Sequence, residues 1–226
     1  MKQLLFLLFI PSLIWAQNIS IDPRDISNAN IELKRAVLEN RNIKGSPYLD
    51  KNFTDTRLVF RDGKQFEGAM RYHMGKDLFE LKSAVDGEIY QLKLTDGMKA
   101  THLGRTFSAH YLSSESKVAT FELIVSPNPY GLYKFHRKMV EESHREAIAL
   151  PTSNQGNNQD ASWTDQSFFV LINGTQVYQM TKSHKKVIES GIVDEKTYKK
   201  IIKEKKYKLS KLEDLKELVN QLNSTN

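Results

Sequence analysis

Residues 57–97, RLVFRDGKQFEGAMRYHMGKDLFELKSAVDGEIYQLKLTDG, decide the fold. Short runs that alternate apolar and polar residues are cut at Asp62-Gly63, Gly75-Lys76-Asp77, Asp86-Gly87 and Asp96-Gly97. Glycine enters left-handed backbone without steric cost, so Asp-Gly pairs turn tightly, and a period of two marks strands with one buried face. The stretch predicts an antiparallel β-meander. Phe66, Gly68, Met70, Tyr72 and Met74 fall to its inner face, and Glu67, Arg71 and His73 to water. The same alternation sets Phe79 and Leu81 against Glu80 and Lys82, and sets Leu103, Phe107, Ala109 and Tyr111 of a later strand against His102, Thr106, Ser108 and His110.

Further along, Lys117–Val125 and Leu132–Val140 continue the pattern, joined by Ser126–Gly131, whose two prolines cannot donate to a ladder. The polar stretch 143–166 reads as a long loop. A last hairpin, Ser167–Ile172 and Thr175–Met180, turns at Asn173-Gly174. The period then lengthens. Asp194 is placed to cap a helix carrying Tyr198, Ile201 and Ile202, and Ser210-Lys211-Leu212-Glu213 forms a capping box ahead of Leu215, Leu218, Val219 and Leu222. No helix interrupts the meander, which excludes a doubly wound α/β fold. The expected fold is mainly β: an antiparallel meander of about eight or nine strands, curled into a barrel or half-barrel to hide its edges, with C-terminal helices.

Met1-Lys2-Gln3, the apolar run Leu4–Trp15 and the small residue Ala16 have the form of a signal peptide cleaved before Gln17, so the protein is expected to be exported to the periplasm, the outer cell surface or the medium. The run contains Pro11 and is shorter than the roughly 20 residues a span needs, so no transmembrane span is expected. The chain then divides into a signal peptide (1–16), an N-terminal segment (17–44) in which Ile31, Val37 and Leu38 suit a short helix, a β-domain (45–180) and a helical tail (181–226) packed on it. Four Asn-x-Ser/Thr sequons, at Asn18, Asn52, Asn173 and Asn223, are read as chance in an Asn-rich chain.

With 39% hydrophobic and 27% charged residues, the 226-residue chain has the composition of a folded protein. Cysteine is absent, which excludes disulfides, zinc-thiolate sites, iron-sulfur clusters and thiol nucleophiles. The net charge of +6 is localised: residues 181–226 hold twelve lysines against seven carboxylates, whereas 17–180 hold 20 of each sign. In an exported protein such a basic tail points to an acidic envelope surface, or to another envelope protein, rather than to nucleic acid. Its candidate polyanion-binding residues are Lys199, Lys200, Lys203, Lys205, Lys206 and Lys208.

No catalytic, cofactor or metal site emerges from the motifs. Nucleophile elbow, zinc-protease helix, phosphate loop and dinucleotide fingerprint are all missing. Ser114–Lys117 and Ser183–Lys186 match Ser-x-x-Lys without its companion motifs. His102 and His110, read on one strand, stand about 27 Å apart at 3.4 Å per residue, too far to share an ion.

Gly45-Ser46-Pro47-Tyr48-Leu49-Asp50-Lys51-Asn52-Phe53, followed by Gly68-Ala69-Met70-Arg71-Tyr72-His73, resembles a group of secreted Bacteroidetes proteins with no assigned activity. That group shares a Gly-Ser-Pro-Tyr-Leu-Asn/Asp-x-x-Phe lead-in, a Leu-Arg-Tyr-Asn-like strand and a Lys- and Leu-rich helical end; Met70 and His73 stand where its pattern prefers Leu and Asn. The resemblance implies export and a bacterial envelope setting, and carries over no catalytic residue. The expected role is that of a non-enzymatic envelope protein with a binding or adaptor function. A lipocalin-like carrier of a small apolar ligand and a hydrolase without a recognisable motif are the alternatives.

Overall fold

The computed structural model describes residues 33–36, 43–142 and 161–225. The signal peptide, the polar stretch 143–160 and the expected helix residues Ile31, Val37 and Leu38 lie outside them. Thirteen strands and three α-helices follow one another: β1 (Lys34–Arg35), β2 (Thr54–Val59), β3 (Gln65–His73), β4 (Leu78–Lys82), β5 (Ile89–Leu92), β6 (Lys99–His102), β7 (Arg105–Leu112), β8 (Lys117–Val125), β9 (Tyr130–Phe135), β10 (Lys138–Glu142), β11 (Ala161–Asp165), β12 (Phe168–Asn173), β13 (Gln176–Gln179), α1 (His184–Glu189), α2 (Glu195–Glu204) and α3 (Leu212–Thr225). Eleven strands form one antiparallel sheet in the order β1-β5-β4-β3-β2-β6-β7-β8-β9-β12-β13, and β10 pairs with β11 separately. The meander is present, and its sheet is not closed.

The sheet exceeds the expected strand count for local reasons. Residues 102–111 are two strands, because Leu103 (φ 52°) and Gly104 (φ 71°) both adopt positive φ and turn β6 back on β7 with His102 opposite Arg105. Leucine rarely takes that conformation, so the pair carries no turn signal in the sequence. Leu33–Ala36, assigned to the loosely helical N-terminal segment, instead lay β1 beside β5. The run 132–140 breaks at His136-Arg137; beyond it β10 leaves the main sheet for β11, which occupies 161–165 of the expected loop.

The sheet curls in two opposite senses. Phe79 on β4 and Phe107 on β7 lie four strands apart, about 19 Å in a flat sheet, yet their ring centroids are 5.6 Å apart. Tyr72 joins them 5.4 Å from Phe107, in a core that also holds Leu58, Met70 and Leu92. From β7 onward the other face turns inward. Phe121, Phe135 and Phe168 stack at 5.4 and 5.1 Å, His110 meets Tyr133 at 5.0 Å, and β13 returns toward β7. Alternate residues of β7 therefore feed two cores: Phe107 and Ala109 the first, Leu112 the second.

The helices cover the face of β9 and β12 that the second curl leaves outside. Leu132 and Leu171, directly opposite each other, pack with Val187, Tyr198, Ile201, Leu215, Leu218 and Leu222. Asp194 caps α2 as expected, its carboxylate accepting the Thr197 N–H at 2.7 Å. The box at Ser210 is replaced: Asp214 reaches back to the Lys208 N–H at 2.7 Å, while Glu213 pairs with Lys216 at 2.9 Å. Ser183, part of a Ser-x-x-Lys match, is the N-cap of α1, accepting from Lys186 N–H at 3.4 Å. Asn223 clasps the sheet, its amide bonding both the N–H and the C=O of Tyr130 at 2.9 Å. Among the described residues no helix is long and apolar enough to cross a membrane.

Candidate functional site

The six candidate lysines all lie exposed on α2 and the segment after it. Their helix is anchored from beneath: Tyr198 and Ile201 are buried, and the Tyr198 hydroxyl bonds His184 Nδ1 at 2.8 Å. Two of the six are engaged by carboxylates of the tail, Lys199 by Glu195 and Lys205 by Glu217. Among the described residues Lys200, Lys203 and Lys206 have no ion-pair partner, which leaves an excess of positive charge facing solvent.

A second region was not visible in the sequence. Where β3 turns into β4, Gly75, Lys76 and Asp77 face the β10–β11 hairpin across a cleft of about 340 Å³. The cleft exists because the lead-in fastens that hairpin to the sheet. Lys44 exchanges backbone bonds with β11, donating to Ala161 C=O at 2.8 Å and accepting from Trp163 N–H at 3.0 Å. Three residues later Pro47 C=O accepts the Met74 N–H at 2.8 Å, and Lys138 Nζ donates to Ser46 C=O at 2.7 Å. Trp163 then lies close enough to Gly75 that a Cβ there would meet its ring at 2.6 Å.

The same lead-in covers part of the face read as wet. Arg71 sits with its guanidinium carbon 3.8 Å from the Tyr48 ring centroid and 4.3 Å from that of Phe53, and donates to Glu80 at 2.9 and 2.7 Å and to the Tyr48 hydroxyl at 2.8 Å. His73, expected in water, is buried between Tyr48 and Trp163. Glu67 alone of that trio is exposed, and Phe66, expected inside, is only half-buried. Period-two alternation assigns faces but does not foresee a segment laid over one of them.

Asp77 closes the floor of the cleft. Its carboxylate accepts from the Tyr72 hydroxyl at 2.7 Å and from the Thr120 N–H at 3.1 Å, a backbone group left over where the β8–β9 ladder stops at Phe121 opposite Phe135. Burial pushes the Asp77 carboxyl up to about 6, against the pull of those hydrogen bonds. Behind it, His136 Nε2 bonds the buried Glu122, whose carboxylate also lies 3.5 Å from Arg105. His102, likewise buried, bonds Thr56 Oγ1 at 2.7 Å. Each of these groups is committed to another strand, so the arrangement sews the first core together.

Above the floor the cleft is cationic. Lys76, Lys117, Arg137 and Lys138 line it, with Met74, Phe135 and Trp163 as its apolar wall. Glu115 receives Lys117 at 2.7 Å and Arg137 at 2.6 Å, and the Lys117 hydrogen bond, with Arg137 beside it, holds the Glu115 carboxyl below the usual range. Among the described residues no group of three His, Asp or Glu is placed to hold a metal. Compared with the profiles of known families, with curated proteins and with solved structures, the chain matches none of them.

Proposed function

We propose that this protein is an exported, non-enzymatic binding or adaptor protein of the cell envelope that meets an acidic surface through its helical tail. One observation carries the reading. The tail buries Tyr198 and Ile201 against the sheet while Lys200, Lys203 and Lys206 remain exposed and unneutralised, so the charge serves no contact within the described part of the chain. A lipocalin-like carrier finds less support, because the first curl is filled by Phe79, Phe107, Tyr72 and His136 rather than left open for a ligand.

Exposed charges attract one another only over about a Debye length, about 8 Å at physiological salt, so binding of this kind weakens as salt rises. The expected outcome is retention of the full chain on anionic phospholipid vesicles at low salt, release at high salt, and loss of retention in the triple variant Lys200→Glu, Lys203→Glu and Lys206→Glu with an unchanged melting curve. Retention that survives both the salt and the triple variant sinks the proposal.

A further inference from the structure

We infer that the cleft between the β3–β4 turn and the β10–β11 hairpin is a binding site for a small amphiphilic oxyanion, a carboxylate or phosphate head on a short apolar body. The charge balance is the first argument. Among the described residues, and leaving aside Lys76, three cations, Lys117, Arg137 and Lys138, line the cleft against the nearby carboxylates Asp77 and Glu115, an excess of one positive charge. Asp77 is already bonded from the protein side by Tyr72 and Thr120. Glu115 is shared by two cations, so Lys117 and Arg137 are held side by side with one negative charge between them. Lys138 is steadied by a neutral carbonyl, that of Ser46, and Asp165 opposite it on β11 accepts instead from the Ser167 N–H at 2.8 Å.

Holding like charges together costs free energy unless an anion joins them, and a guanidinium has five N–H donors, of which Glu115 uses one on Arg137. Arg137 and Lys117 keep 31% and 38% of their side chains exposed, so both are reachable from solvent. The head is therefore placed between Arg137, Lys117 and Lys138, with charge-assisted hydrogen bonds as its recognition.

Size and wall define the body of the ligand. At about 30 Å³ per water, a cleft of about 340 Å³ holds roughly ten or eleven water volumes, a molecule of about ten heavy atoms. Trp163, pressed on Gly75, and Met74 supply apolar surface beside the cations. A bare inorganic anion leaves that surface wet, and a neutral lipid leaves the excess positive charge unmatched; an anion with a short chain satisfies both.

Equilibrium dialysis of the full chain against radiolabelled octanoate and octyl phosphate tests this, with octanol and inorganic phosphate as controls. At least one of the two amphiphiles should bind, and the preferred one identifies the head group; octanol and inorganic phosphate should bind at least tenfold more weakly. Lys117→Gln and Arg137→Gln should each lower the affinity about tenfold or more. Lys117→Gln changes a partly exposed side chain and should leave the melting curve in place, which separates lost binding from lost folding. The tail triple variant should bind like the wild type, so failure here and failure of the tail proposal are distinguishable. Absence of binding by both amphiphiles, equal binding of octanol, or affinity indifferent to both cleft variants overturns the inference.

Discussion

The two halves of the sheet are sealed by different chemistry. Nine polar or charged side chains are buried in the described chain, and every one lies at or before His136; beyond that residue the buried side chains are aliphatic or tyrosine. The first half curls around rings and is closed by distant pieces of chain, the lead-in and the β3–β4 turn, which bring the Tyr48–Arg71 and Asp77–Thr120 contacts with them. The second half is closed by amphipathic helices, whose own backbone hydrogen bonds are already made, so apolar side chains suffice. Where a non-repetitive segment must be fixed in place, as at Asp77, a buried polar group does it, and where a regular element only has to be covered, apolar ones do.

The largest effects test whether the halves are one cooperative unit. Phe107→Ala removes a ring that touches Tyr72, Phe79 and His136 and should cost about 3 to 5 kcal/mol, with Leu218→Ala in the helical layer at about 2 to 5. Because β7 feeds both sheet cores, each variant should shift a single transition in urea, read by circular dichroism and by tryptophan emission alike. Two separable transitions would mean that the halves are two domains.

The next effect belongs to the first half alone. Asp77 titrates at about 6 in the folded chain against 3.8 for the free side chain, so the folded state holds its proton more tightly. Below about pH 3 the group is protonated in both states and its burial is not penalised; the penalty grows as pH rises through 3.8 and is complete above about 6. That gap is worth about 3 kcal/mol of stability lost between about pH 3 and pH 7. In Asp77→Asn this component should vanish, measured as the difference in urea midpoint between the two pH values, and a slope equal to the wild type's contradicts the burial argument.

The smallest effect compares two residues that alternation puts on one face. Glu67→Ala should stay within about 0.5 kcal/mol, while His73→Ala, which strips a partner from the Lys76 N–H at 3.1 Å, should cost about 1 to 3. Equal losses in denaturant melts would return His73 to the solvent face.

These contrasts explain what the sequence could tell. Asp62-Gly63, Asp96-Gly97 and Asn173-Gly174 announce their turns locally, and the three- and four-residue spacing of Leu215, Leu218, Val219 and Leu222 announces a covered helix face, so the meander and the tail were legible. Leu103-Gly104 was not, since its signal is a conformation leucine seldom takes. The cleft was less legible still. Lys76, Lys117, Arg137 and Trp163 come from four places in the chain, and each alone reads as an ordinary surface or strand residue. Only the lead-in left a trace: Gly45, Pro47 and Tyr48 looked like a docking segment, and beside them Lys44 and Ser46 bond the hairpin that forms one wall.

The clasp of Asn223 on Tyr130 gives the fold an order in time. A chain that emerges from its N-terminal end presents β9 long before residue 223 is available, so the backbone of Tyr130 and the outer faces of Leu132 and Leu171 wait uncovered until almost all of the sequence shown has been delivered. The helical tail thus decides when the face of β9 and β12 is covered, as well as carrying the charge.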